Sequence, residues 1–190
     1  MIRRGATARL TGTALLLAVG AVLPIVFHMF PLGGRLFRAM HRPACMAGLL
    51  LGPLSGLVVG AGSPLLSLLL TGRPPVYLAV PMILELATYG VVAGLVRPRF
   101  ERALRGAAWI LPIQASLLVA MVAGRAVWLA TVVWLAPLIG ITGRTVALAL
   151  GALGAGWIGI AIQLVLIPAI VRAIEAARGA PAGFEDRPEA

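Results

Sequence analysis

The residues of this chain that could do chemistry are few, and most stand alone in apolar surroundings. Glu85 is the only acidic residue inside an apolar run, VPMILELATYGVVAG. It falls about ten residues from the outer end of that run, so ~15 Å down a helix that rises ~1.5 Å per residue, near mid-bilayer. A carboxylate there is costly unless paired or neutralised, and an intramembrane ionisable residue is a functional candidate by default. The structural alternative is a protonated glutamate hydrogen-bonded between helices. Arg125 interrupts a later run, VAMVAGRAVWLAT. It lies about 18 residues from the cytoplasmic end of its run, near the outer boundary of the hydrocarbon. There it either snorkels to the headgroups, faces a ligand, or pairs with Glu85. The segment GGRLFRAMHRP gathers Arg35, Arg38, His41 and Arg42 with Phe37 and Met40. The planar guanidinium fork suits carboxylate or phosphate, so this segment reads as a ligand lid, with contact to lipid headgroups as the alternative. Gln114, Gln163, His28 and Tyr89 are isolated polar residues and fit interhelical hydrogen bonds. Trp128 and Trp134 fit an interfacial aromatic belt.

Missing patterns exclude most enzyme chemistry. There is no G-x-x-x-x-G-K-[ST], so ATP hydrolysis by the P-loop route is out. H-E-x-x-H, paired aspartates and G-x-S-x-G are absent too. The single Cys45 allows no internal disulfide and no multi-cysteine metal site; it is expected to be a small buried apolar residue. No catalytic residues, metal ligands or cofactor are expected, and the chain is not expected to be an enzyme.

The elements that must position these residues are membrane spans. The 190 residues are 61% hydrophobic and 12% charged, against about 25% charged in a soluble domain. Net charge is +10, and all 16 basic residues are arginine. They cluster between apolar runs, which is the pattern of membrane topology rather than of a nucleic-acid surface. The first run, Leu10–Phe30, follows Arg3, Arg4 and Arg9. It exceeds the ~7–15 residues of a cleaved signal's apolar core, so it is expected to stay as the first span. Neither end is expected to carry a soluble domain.

The further runs are Pro43–Thr71, Val76–Val96, Ala107–Gly140 and Thr145–Val171. Arg3, Arg4 and Arg9 place the N-terminus in the cytoplasm by the positive-inside rule. The dense cluster Arg97, Arg99, Arg102 and Arg105, and the C-terminal Arg172 and Arg178, should lie on the same side. Only a double crossing by the charge-free run Pro43–Thr71 satisfies every cluster. Gly52-Pro53-Leu54-Ser55-Gly56 supplies the turn between two short helices, and such a hairpin must pack inside the bundle. Parity keeps Ala107–Gly140 as one long helix, tilted or projecting. The expected fold is an all-α membrane protein, a bundle of six transmembrane helices with both termini cytoplasmic. Residues 1–172 form its single domain, and 173–190 are expected to be a disordered cytoplasmic tail. Arg35, Arg38 and Arg42 then lie outside against the rule, which hints that something other than topology retains them.

Ala14-Leu-Leu-Leu-Ala18 puts two small residues one turn apart in the first span, and Gly20 and Ala21 extend that surface. The ordered series PLGGRLFRAMHRPACMAGLLLGPLSGLVVGAGSPLLSLLLTGRPP, PMILELATYG, SLLVAMVAGR and IAIQLVLIP resembles the substrate-binding S components of energy-coupling-factor (ECF) vitamin transporters, from about Ala14 to Val171. The resemblance implies a six-helix protein of the plasma membrane with a high-affinity pocket open to the outside, closed by the first and a later outer loop. It implies an alanine-x-x-x-alanine motif, matched by Ala14 and Ala18, that docks on a transmembrane coupling subunit. Two cytoplasmic ATP-binding subunits would supply the energy, and the S component would tilt over in the membrane to deliver its ligand. Family pocket residues vary with the vitamin. The substrate-binding residues expected here, Arg35, Arg38, His41, Glu85 and Arg125, therefore come from the residues' own chemistry. The arginine-rich outer loop departs from the mostly apolar family version.

The leading function is capture of a vitamin or vitamin precursor for a separate ATPase module. A carboxylate or phosphate would suit Arg35, Arg38 or Arg125, whereas a cationic nitrogen would suit Glu85. The alternatives are a non-transporting membrane scaffold, whose small-residue faces serve assembly, and a small membrane enzyme, which the absent motifs disfavour.

Overall fold

Hydrocarbon offers no partner to a backbone N–H or C=O, so an apolar chain of this kind must satisfy them within helices. The computed structural model describes residues 5–28, 41–72, 74–138, 157–177 and 179. Among the described residues there are six helices: α1 Ala6–His28, α2 His41–Leu51, α3 Pro53–Thr71, α4 Val76–Ala103, α5 Ile110–Leu138 and α6 Trp157–Ala177. All but α2 are long and apolar enough to cross a membrane. Thr145–Gly156, the first part of the last apolar run, lies outside the described residues.

The charge-free run Pro43–Thr71 does divide, but unequally. The break is Gly52, at φ 100° and ψ 174°, a region closed to residues with a Cβ. Pro53 follows as the first residue of α3, where a missing N–H costs nothing. Two short helices around Gly52–Gly56 are expected from the sequence; instead Leu54–Gly56 form the first turn of a full 19-residue helix. Only α2, with 11 residues, is short, rising ~16 Å or about half the bilayer core. Neighbours of α1 give the directions. Gly12 lies against Leu51, and Gly20 lies against both Pro43 and Ser63. So α2 runs antiparallel to α1 and α3 returns parallel to it, as a hairpin does. Thr13 on α1 donates to Ser55 Oγ at 2.9 Å, tying the two helices near the turn.

Helix α4 is the central element, packed against α2, α3 and α5. Lipid is as apolar as any side chain, so helices here associate by close backbone approach between small residues. Gly48 and Gly56 both face Gly90 across α2, α3 and α4, and Gly60 faces the backbone of Leu86. A Cβ on Gly94 would sit 2.6 Å from Pro53 N and 2.9 Å from Gly48 O. Side chains such as Cys45, Leu86, Leu117 and Ile167 complete a buried core shared by α2, α4, α5 and α6.

Two expected boundaries move. The polar segment Arg97–Arg105 is expected as a loop, yet α4 continues through it to Ala103. Arg97 explains the extension. It bonds Glu101 one turn on at 2.6 Å and Glu175 of α6 at 2.5 Å. It also donates to the Leu49 carbonyl of α2 at 2.8 Å, one of the carbonyls a helix end leaves open. At the other boundary, α6 runs on past Arg172 to Ala177; residues 180–190 of the expected tail lie outside the described residues. The run Ala107–Gly140 holds a single helix among its described residues, α5 Ile110–Leu138, as expected. The Gly52 turn, Arg97 and Glu175 thus share one end of the bundle, and α1 begins near it.

A methyl group on Gly90 would land on the backbone of Gly56, which cannot yield as a side chain can. Gly90→Ala is expected to lower the melting temperature clearly, although alanine is the better helix former by ~1 kcal/mol. Gly12→Ala is the control, because its Cβ would meet only the movable end of Leu51, at 3.2 Å. Thermal melting in detergent checks the pair, and equal melting would show that the glycine seam tolerates a side chain.

Candidate functional site

The site is built where α2, α4 and α5 meet. Glu85 and Tyr89 stand one turn apart on α4, spaced so that their side chains share a face. Tyr89 donates its hydroxyl to Glu85 Oε1 at 2.6 Å. Arg125 reaches the same oxygen from α5, Nη1 to Oε1, at 2.8 Å. His41 comes from the first residue of α2, its Nε2 3.9 Å from that oxygen. Its ring is 5.3 Å from that of Tyr89, tilted by 47°. Glu85 and Tyr89 are each 2% exposed, and His41 is 8% exposed.

Local sequence makes this arrangement possible. Gly124, just before Arg125, has no side chain to occupy the space where the Tyr89 ring sits; a Cβ there would come 2.5 Å from Tyr89 Cδ1. Trp128, one turn after Arg125, lies with its ring centroid 6.0 Å from the guanidinium carbon. That is at the reach of a cation–π contact. A carboxylate alone in this interior would be expensive; here it meets a guanidinium and a hydroxyl donor. Among the described residues the arrangement contains a fixed ion pair, a phenol and an imidazole, with no nucleophile activated by a base. It can orient a polar molecule.

The expected site residues divide into three groups. Glu85 and Arg125 come together as an ion pair between neighbouring helices. His41, expected in an outer lid, is instead buried beside them, because α2 begins at His41 and carries it into the bundle. Arg35 and Arg38 lie outside the described residues. Trp128 departs from the expected belt: it is 8% exposed, covered within the bundle, whereas Trp134 is 77% exposed. Gln114 donates to the Leu164 carbonyl of α6 at 3.1 Å, an interhelical bond as expected. Gln163 is buried; the His28 side chain lies outside what is described. Tyr89, read in the sequence as an isolated polar residue, joins the cluster through its hydroxyl bond to Glu85 within α4, and its signal is the four-residue spacing.

On α1, Ala14 and Ala18 are both exposed, on a surface they share with Leu15 and Val22. Gly20 and Ala21, expected to extend that surface, turn inward: Gly20 lies on Ser63 and Pro43, and Ala21 is 4% exposed. Small residues on this helix therefore serve two faces.

Removing one member of a buried ion pair strands the other, at a cost of about 3–5 kcal/mol. Glu85→Gln and Arg125→Gln are each expected to destabilise the protein, and the double variant to lose less than their sum. A double-mutant cycle on melting in detergent measures the coupling, and purely additive losses would refute it.

With the geometry in place, kinship can be considered. The chain matches the family described as "ECF transporter, substrate-specific component" over residues 8–171. No curated protein and no solved structure matches it. The match spans α1 and all but the last turns of α6, and so includes the whole Glu85 cluster. Family members are transport binding proteins rather than enzymes, embedded in the plasma membrane by several helices. This chain belongs to the substrate-specific components of ECF transporters.

Proposed function

We propose that this S component captures a vitamin or vitamin precursor from the outer side and delivers it through a separate coupling and ATPase module. The observation that carries the reading is the Glu85–Arg125 pair with Tyr89 and His41, buried in an otherwise apolar bundle. An intramembrane charge cluster at a helix junction is the usual mark of a substrate site. The end of the bundle with Arg97, Arg99 and Arg102 faces the cytoplasm by the positive-inside rule, so the His41 end of α2 opens outward. Arg35 and Arg38, in the connection that precedes α2, would close over the ligand.

The exposed Ala14 and Ala18 offer the coupling subunit a flat surface for close helix approach. ATP-binding subunits would act through that partner, since this chain has no P-loop.

Purified protein is expected to carry a small water-soluble molecule, identifiable by mass spectrometry, and to rebind it saturably. If nothing co-purifies and no vitamin of a broad panel binds, capture loses its support. Replacing Ala14 and Ala18 together by leucine is expected to abolish co-purification with the coupling subunit and to leave ligand binding intact. Undiminished co-purification would remove these residues from the interface.

A further inference from the structure

We infer that the end of the bundle carrying Arg97 holds a binding site for an anionic phospholipid, built on the exposed face of α4 by Arg99 and Arg102. This site is independent of the captured ligand and concerns the membrane around the protein. Glu101 and Glu175 are the acidic residues described at this end, and both are bound to Arg97. Arg99, Arg102, Arg105 and Arg172 have no acidic partner among the described residues. One guanidinium that serves two carboxylates, with four further guanidiniums beside it, leaves three positive charges on α4, α6 and the turn after α4.

Where two of these arginines sit decides what can neutralise them. Side chains three or four positions apart share one face of a helix. Val80, Leu84, Leu95, Arg99 and Arg102 fall on one such face of α4, and all five are exposed. An apolar stripe therefore ends in two guanidiniums at the point where α4 leaves the hydrocarbon. A phospholipid presents the same order, acyl chain and then phosphate. A soluble acidic segment would match the arginines and leave the apolar stripe unmatched.

Both side chains fold back over the preceding turn. Arg99 donates from Nη1 to the Leu95 carbonyl at 3.1 Å, and Arg102 from Nε to the Pro98 carbonyl at 3.2 Å. An arginine extended into water would make no such bond; these lie along the helix, beside the apolar stripe. Each bond uses one nitrogen. Arg99 keeps the edge formed by Nε and Nη2, and Arg102 keeps Nη1 and Nη2, with no acceptor for either edge among the described residues. Such an edge suits two phosphate oxygens. Side chains three positions apart have Cβ atoms about 5–6 Å from each other, so both forks can meet one headgroup. A zwitterionic headgroup carries its own cation and brings no net charge, whereas an anionic one neutralises the excess. A similar pairing stands beyond the turn: the Arg172 guanidinium carbon is 5.7 Å from the ring centroid of Trp109, within cation–π reach. Trp109 is half exposed just before α5, and tryptophan favours the headgroup level.

The test uses the full chain in nanodiscs that mix phosphatidylglycerol and phosphatidylcholine equally, with identical acyl chains, and native mass spectrometry of the lipid that stays bound. The unmodified protein is expected to retain phosphatidylglycerol over phosphatidylcholine by about fivefold or more, the worth of one arginine at a charged surface. Arg99→Gln combined with Arg102→Gln should bring that ratio near unity. Arg102→Gln alone should lower it clearly, whereas Arg105→Gln, which removes the same charge from the turn beyond α4, should change it little. Equal loss in Arg102→Gln and Arg105→Gln would reduce the effect to net charge and overturn the site. Equal retention of the two lipids by the unmodified protein overturns it outright, whether or not the variants fold. Displacement of the bound lipid by glycerol phosphate would show an ion site indifferent to acyl chains, and overturns the lipid. A preference that emerges only after Glu185→Gln, Asp186→Asn and Glu189→Gln would assign the arginines to the chain's own last residues, and overturns it too.

Discussion

The ion pair between Glu85 and Arg125 is the interaction on which the rest of this bundle depends. Neither charge is tolerable alone in an apolar interior, so α4 and α5 must meet in the one register that joins them at 2.8 Å. That register places Gly124 beside the Tyr89 ring and Trp128 beside the guanidinium. It also fixes what α2 may present, since His41 must enter within reach of the same carboxylate. A buried pair of this kind contributes little net stability against an apolar substitute, yet it penalises every alternative register heavily. Its value here is specification.

The second constraint is geometric. A half-helix can begin inside a membrane only where protein surrounds it, and α2 meets that condition by backbone contact. Glycines on α2, α3 and α4 let the three helices close to within a distance that any side chain would block. Gly52 then reverses the chain within a single residue, and Arg97 covers an open carbonyl at the end of α2. The polar group at the start of α2 and the carbonyl at its finish are each met by α4.

Much of this was legible in the residues. An acid in an apolar run identifies Glu85 whatever the fold, and charge parity demands a hairpin from Pro43–Thr71. What stayed hidden has physical reasons. Depth along a helix is counted from the end of its run, and the runs do not end at the membrane surface: α4 passes seven residues beyond Val96, to Ala103. Counting therefore separated Arg125 from Glu85 in depth, although the two are in contact. Helix α5 is apolar on every side, so no periodicity says which face turns inward, and Trp128 could not be told from a belt residue. Glycine is too common here, at 23 residues, for the seam to stand out. Arg97 reads as a topological charge because its partner Glu175 is 78 positions away. Pairings between distant segments leave no local trace.

The order of Glu85 and Arg125 along the chain has a consequence in time. In a membrane protein inserted as it is made, α4 reaches the bilayer before α5 exists. At ~5–20 residues per second, the arginine follows the glutamate by about forty residues, or some seconds. Through that interval the carboxylate has no counter-charge, and a neutral acid enters hydrocarbon far more cheaply than an ion. The pair can form only when α5 arrives with Arg125. Its formation marks the docking of α5 on α4, so the ion pair doubles as a record that assembly of the bundle has passed its midpoint.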